Sequence, residues 1–160
     1  MRPAAPRPRS LLILTLFIGA AFTAGAIGSW ATFEHVRTWY PTLAKPAWNP
    51  PSWVFGPVWT VLYVLMGTAA WRAWRTGPAA RPLVVAYFVQ LGCNALWSVL
   101  FFGLKQPAWA LADIVVLGLL LAWMQRGLAR VDRVAAWLWL PYLLWVGFAA
   151  ALNAAIVRLN

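Results

Sequence analysis

Five long apolar stretches, at about 10–31, 52–74, 83–104, 108–125 and 134–157, take up most of this 160-residue chain, and Arg72 and Asp113 are the only charged residues inside them. A helix needs about 20 mostly apolar residues to cross the hydrocarbon of a bilayer, whereas a membrane β-strand needs only about 9–11. Lipid offers no partner to a backbone N–H or C=O, so stretches of this length must satisfy themselves as helices. With 63% hydrophobic and 10% charged residues, the chain has too little polar surface to cover a soluble globule. The expected fold is all-α, a single-domain, multi-pass bundle of five transmembrane helices over residues 1–160.

Arg2, Arg7 and Arg9 ahead of an apolar core, with small residues at Ala24–Ala26, also fit a secretory signal. The run is longer than a signal core, and the bundle needs this helix, so it is read as a retained span. Basic residues in short loops stay on the cytoplasmic side. The N-terminus holds Arg2, Arg7 and Arg9, the second connector Arg72, Arg75 and Arg81, and the fourth Arg126, Arg130 and Arg133; the other side holds Arg37, Lys45, Lys105 and Arg158. This places the N-terminus in the cytoplasm and the connector 32–51 on the opposite face. The basic excess sits at span ends, where anionic lipid head groups attract it, and does not point to nucleic acid.

That connector carries the run KPAWNPPSWVFG from Lys45 to Gly56. Proline fixes φ and bars the preceding residue from helical geometry, so the segment must be a stiff, extended strap. Trp48 at its centre suits closing over a flat, apolar guest.

Polar residues within a span are costly and therefore informative. Gln90, Asn94, Trp97, Ser98 and Phe101 share one face of the third span, and Tyr142, Trp145, Ala149 and Asn153 one face of the fifth. Trp59 and Tyr63, four apart in the second span, add an aromatic face below the strap. These faces either hydrogen-bond helix to helix or line a cavity. Pro141 should bend the fifth helix. Trp30, Trp39, Trp53, Trp71, Trp74, Trp109, Trp123, Trp137 and Trp139 lie near span ends and read as an interfacial belt. Asp113 reads as a partner of Lys105 or of the helix dipole, with a ligand or proton role as the alternative. Gly and Ala in the third and fourth spans permit close helix approach and dimerisation. Cys93 is the sole cysteine and His35 the sole histidine, so no disulfide forms within the monomer and no metal-ligand spacing exists. Phosphate loops, nucleophile elbows and internal repeats are absent, which leaves hydrolytic and metal-assisted catalysis without residues to run on.

The runs KPAWNPPSWVFGPVWTVLYVLMG (Lys45–Gly67), QLGCNALWSVLFFG (Gln90–Gly103), WALAD (Trp109–Asp113) and LPYLLWVGFAAALN (Leu140–Asn153) closely resemble the TspO/MBR family of tryptophan-rich sensory proteins, whose mitochondrial members are called translocator protein or peripheral benzodiazepine receptor. The resemblance covers about residues 10–160. It implies a five-helix bundle, commonly homodimeric, that binds protoporphyrin IX-like tetrapyrroles and, in some members, sterols and synthetic aromatic ligands, with no required cofactor. The family pocket falls on Trp48, Trp59, Tyr63, Asn94, Trp97, Trp145 and Ala149; the faces read above add Gln90, Phe101 and Tyr142. Some bacterial members are linked to light-dependent porphyrin breakdown, for which Trp48 and Trp145 match the implicated tryptophans. Ala154 and Ala155 stand where mitochondrial members carry tyrosines of a sterol-recognition pattern, which lowers the expectation of sterol binding. The expected function is a membrane receptor or regulator that captures a tetrapyrrole beneath the strap; a photo-oxidative enzyme and a tetrapyrrole or lipid transporter are the alternatives. The alanine- and arginine-rich composition and short basic N-terminus suggest a bacterial inner membrane.

Overall fold

The computed structural model describes residues 8–160, all helix and connecting turn with no strand among them. The five long helices are α1 (Pro8–Thr38), α2 (Phe55–Arg75), α3 (Arg81–Ser98), α4 (Pro107–Val131) and α5 (Arg133–Leu159). Each includes a stretch long and apolar enough to cross a membrane. In space α1 packs on α2, α2 on α5, α5 on α4, α4 on α3, and α3 back on α1, a closed ring of five. Arg2 and Arg7 lie outside the described residues.

The outside of the ring is apolar, as lipid demands, with residues such as Leu12, Leu119 and Leu144 exposed. The half of the interior nearer the α1 N-terminus is tightly filled by Phe17, Met66, Tyr87, Leu117, Leu121, Met124, Trp139 and Tyr142. Small residues allow this closeness: a Cβ at Gly67 would sit 2.8 Å from the Ile18 Cα. Trp71 and Trp139, expected in the interfacial belt, are instead buried. The Trp71 indole donates to the Ser10 carbonyl at 2.7 Å, and that of Trp139 to the Leu121 carbonyl at 3.4 Å, so a partner inside the bundle replaces the head group. Trp53, Trp109 and Trp137 are exposed near helix ends, and Trp30 is exposed where the membrane-length stretch of α1 ends.

Three boundaries differ from expectation. First, α1 continues to Thr38, past the expected end at residue 31, because no proline interrupts it before Pro41. The Thr32 and Thr38 hydroxyls bond back to the Gly28 and Glu34 carbonyls and are satisfied within the helix. The strap is therefore 39–51 rather than 32–51. Second, α4 runs past Gln125 to Val131, where Asp132 turns extended (φ −158°, ψ 106°) and starts α5. Third, α3 ends in a wide π turn, Val99–Gly103, with the Leu104 N–H reaching five residues back to the Val99 carbonyl at 2.8 Å. Helix α5 passes through Pro141 unbroken. Gly77 (φ +99°) supplies the left-handed step between α2 and α3.

Asp132 joins two helices. Its Oδ1 accepts the Ala135 N–H at 3.0 Å as the N-cap of α5, and its carboxylate meets the Arg72 guanidinium at 2.9 Å. Burial pushes its carboxyl up, but the cap bonds and the Arg72 charge outweigh that and hold it below the usual aspartate range. A depressed carboxyl stabilises the fold above its unfolded value, about 3.9, and that stability is lost as pH falls through the lower folded value. Loss of such a cap costs about 0.5–2 kcal/mol. Asp132→Ala should therefore lower the melting temperature in detergent by several degrees at neutral pH. The wild-type melting temperature should be flat from neutral pH to about pH 5 and fall below about pH 4, with a smaller fall in Asp132→Asn; equal acid sensitivity in the two proteins would refute the assignment.

Candidate functional site

Towards the strap the ring is not filled, and a cavity of about 750 Å³ opens between the helices. This is within the range of pockets that enclose small molecules, roughly 300–1,000 Å³. Helix α1 contributes a stripe from Phe22 through Gly25, Ser29 and Thr32 to Val36; α2 contributes Phe55, Trp59, Thr60 and Tyr63. Asn94, Trp97 and Ser98 of α3 face Trp145, Ala149 and Asn153 of α5. The π turn adds two consecutive rings, Phe101 and Phe102, to the wall. An α-helical step would turn neighbouring side chains about 100° apart, so the irregular turn is suited to presenting both.

The strap roofs this space with Asn49, Pro50 and Pro51. It is held by its own hydrogen bonds: the Tyr40 hydroxyl donates to Asn49 Oδ1 at 2.7 Å, and Lys45 Nζ donates to the carbonyls of Tyr40 and Leu43, both at 2.8 Å. Burial raises the Tyr40 hydroxyl above its ordinary value more than the Asn49 bond lowers it, so it remains a neutral donor at neutral pH. The Asn160 side chain fastens the strap to α5, accepting the Ala44 N–H at 3.0 Å and donating to the Ala44 carbonyl at 3.1 Å.

Of the residues singled out from the sequence, Trp59, Tyr63, Asn94, Trp97, Phe101, Trp145 and Ala149 lie in the cavity wall. Trp48 does not. The residue is 49% exposed and its ring packs edge-on against Phe148, centroids 5.7 Å apart, so the prolines and Asn49 form the roof instead. Gln90 and Tyr142 sit behind the wall, fully buried: the Tyr142 hydroxyl donates to Gln90 Oε1 at 2.7 Å and accepts from Asn94 Nδ2 at 3.3 Å. Asn153 is spent on structure, its Oδ1 accepting from the Trp97 indole at 3.1 Å and its Nδ2 donating to the Pro107 carbonyl at 2.9 Å. Both readings of the polar faces thus hold at once, some residues bonding across helices and others lining the hollow. Asp113 makes no ion pair among the described residues, Lys105 included, and its Oδ2 is buried without a partner. The α1 stripe escaped the sequence reading because it carries no amide or indole to mark it, although its spacing of three and four residues is the signal that would find it.

Among the described residues no lining side chain is charged, and none is His, Cys or Met. Aromatic rings dominate, and the Trp59 and Trp145 indoles and the Tyr63 hydroxyl make no hydrogen bond among the described residues. Such a wall offers flat apolar surface and a few neutral donors.

The same wall residues fall within the part of the chain, residues 17–159, that matches the TspO/MBR family model. This chain belongs to the TspO/MBR family. It is 41% identical over 155 residues to the "Tryptophan-rich protein TspO" of Chlorobaculum tepidum, covering 95% of this chain and 98% of that one. The protein of the same name from Archaeoglobus fulgidus is 43% identical over 152 residues, 94% and 99% of the two chains. The human "Translocator protein" is 38% identical over 152 residues, 92% of this chain and 84% of that one. The chain is thus an integral, multi-pass membrane protein of the sensory and translocator family, and its five long helices match the five-helix bundle expected from the sequence.

Where α1 meets α2, a Cβ at Gly25 would overlap the Tyr63 ring, whereas one at Gly56, also in the wall, has open space. The Tyr63 ring can shift into the cavity, but Gly67→Ala sets a Cβ 2.8 Å from the Ile18 Cα and must part the helices, a cost of about 1–3 kcal/mol, while Gly56→Ala gains helix propensity without a clash. In detergent Gly67→Ala should melt several degrees below wild type and Gly56→Ala at or slightly above it; equal melting temperatures would contradict the close α1–α2 contact.

Proposed function

We propose that this protein is a membrane receptor that holds a tetrapyrrole of the protoporphyrin IX kind in the cavity beneath the strap. The observation that carries this reading is the wall itself: about 750 Å³ lined by Trp59, Tyr63, Trp97 and Trp145, with neutral polar groups set among the rings. A planar conjugated guest gains from aromatic stacking and apolar burial together. Haem iron is held by His, Cys, Met or Tyr; the described lining has no His, Cys or Met and only Tyr40, already donating to Asn49, and Tyr63, so the wall favours metal-free porphyrin over haem. Trp145 stands in the wall, where its indole could give one electron to an excited guest, and this keeps photo-oxidation as the second reading, one that Trp48, outside the wall, supports less.

One experiment separates these. Detergent-solubilised protein is titrated with protoporphyrin IX in the dark, following tryptophan quenching, and then illuminated. Saturable binding that weakens about tenfold or more in Ala149→Trp, which fills the slot, is expected; unchanged affinity would remove this cavity from the reading. New bilin-like absorbance on illumination, lost in Trp145→Phe, would move the protein from receptor to enzyme, whereas bleaching at the rate seen without protein leaves it a receptor.

The arginine-rich ends of the helices, Arg72, Arg75, Arg81, Arg126, Arg130 and Arg133, gather at the end opposite the strap. We assign that end to the cytoplasm, by the excess of basic residues, and the strap to the other side of a bacterial inner membrane. Single cysteines replacing Thr76 and Ser52 in a Cys93→Ala background should react with a membrane-impermeant maleimide from opposite faces of intact cells and inverted vesicles; reversed labelling would invert the assignment.

A further inference from the structure

Behind the cavity wall runs a chain of buried polar groups whose direction is set at its far end. Gln90 Nε2 lies 3.9 Å from the Met66 sulfur, and both residues are fully buried. A thioether only accepts, so this contact favours the Gln90 amide nitrogen on that side and leaves Oε1 for Tyr142. The Tyr142 hydroxyl, 2.7 Å away, has one proton and gives it to that oxygen. From Asn94, 3.3 Å off, the same hydroxyl then has only a lone pair to offer, so Asn94 must turn its Nδ2 towards Tyr142. Asn94 Oδ1 has no partner among the described residues and is not among the buried unpartnered atoms, and Asn94 itself lines the cavity. Reversing one member alone would set two donors or two acceptors face to face in a buried interior, and reversing all three together would turn the Gln90 oxygen onto the Met66 sulfur, acceptor against acceptor.

We propose that Met66, Gln90 and Tyr142, none of which lines the cavity, are positioning residues that hold Asn94 with its carbonyl oxygen towards the guest, so that the site selects flat aromatic molecules bearing an N–H or O–H donor. The proposal rests on the reading of the cavity as a binding site. It adds a polarity to that site: shape and stacking admit any planar guest of the right size, and the Asn94 oxygen discriminates among them. A guest presenting only an acceptor at that point would set two acceptors face to face.

Three tricyclic aromatics of nearly the same shape test it. Carbazole offers an N–H donor, dibenzofuran an acceptor, and fluorene neither. Equilibrium dialysis against detergent-solubilised protein, with empty micelles subtracted, should show carbazole binding at least about fivefold more tightly than dibenzofuran, the scale of one hydrogen bond. In Tyr142→Phe, Asn94 loses its anchor and can present either amide atom, so the ratio should fall towards one while fluorene affinity changes less than about twofold. Fluorene thereby reports an intact cavity, which a merely structural role for Tyr142 would not preserve together with lost discrimination. Equal or reversed affinities in the wild type, or an unchanged ratio in Tyr142→Phe, would overturn the proposal. Failure of all three tricycles and of protoporphyrin IX to bind would overturn the receptor reading and this proposal with it, whereas binding of all three without discrimination would overturn the proposal alone.

Discussion

A polar group inside a lipid-embedded bundle has no water to fall back on, and the interior of this protein is arranged around that constraint. Gln90, Asn94 and Asn153 are the buried polar side chains of the ring, and each is bonded to another helix: Gln90 and Asn94 of α3 to Tyr142 of α5, and Asn153 of α5 to both Trp97 of α3 and the start of α4. These bonds cross the ring between α3 and α5, which are not neighbours around it. The apolar contacts between adjacent helices hold the ring closed, and the amide bonds set how far apart its opposite walls stand. In such surroundings each bond is modest as a net contribution and expensive to leave unmade.

The cavity follows from the same arrangement. In the half of the ring nearer the α1 N-terminus, small residues let the helices close until Tyr87, Trp139 and Tyr142 fill the centre. In the other half α1 continues past the membrane-length stretch, the π turn widens the end of α3, and two large indoles, Trp97 and Trp145, stand across from each other with Asn94 and Asn153 beside them. The strap roofs part of the space, and proline geometry, the Tyr40–Asn49 bond and the Asn160 clasp make it stiff without helping it to fill the space below. Packing stops in this half, and a neutral, ring-lined hollow is what remains.

Much of this was legible in the chain. The five spans, the polar face of α3, the Trp59–Tyr63 pair and the Trp145–Ala149 slot all follow from period and burial cost, and seven of the ten residues singled out lie in the wall. Trp48 was misplaced because a stiff loop in sequence does not say which way its side chains hang; Phe148, on a different helix, captured its ring. Trp71 and Trp139 were misread as interfacial because nearness to a span end is a property of the sequence, whereas the carbonyls that claimed their indoles, at Ser10 and Leu121, lie on other helices. The early end assigned to α1 took the first polar residues as the start of a loop, though only Pro41 stops the helix.

The amino-acid order alone determined that this protein spans a membrane five times as helices and which faces of those helices turn inward, because lipid forbids unsatisfied backbone and penalises every polar side chain left facing it. Only the tertiary structure decided which inward residues meet the cavity and which brace it from behind. Asn94 lines the space while Gln90, one turn away on the same face, does not, and the difference lies in how closely α1, α2 and α5 approach at each level, a distance set by contacts such as Gly67 on Ile18 and Tyr142 on Gln90 between residues far apart in the chain.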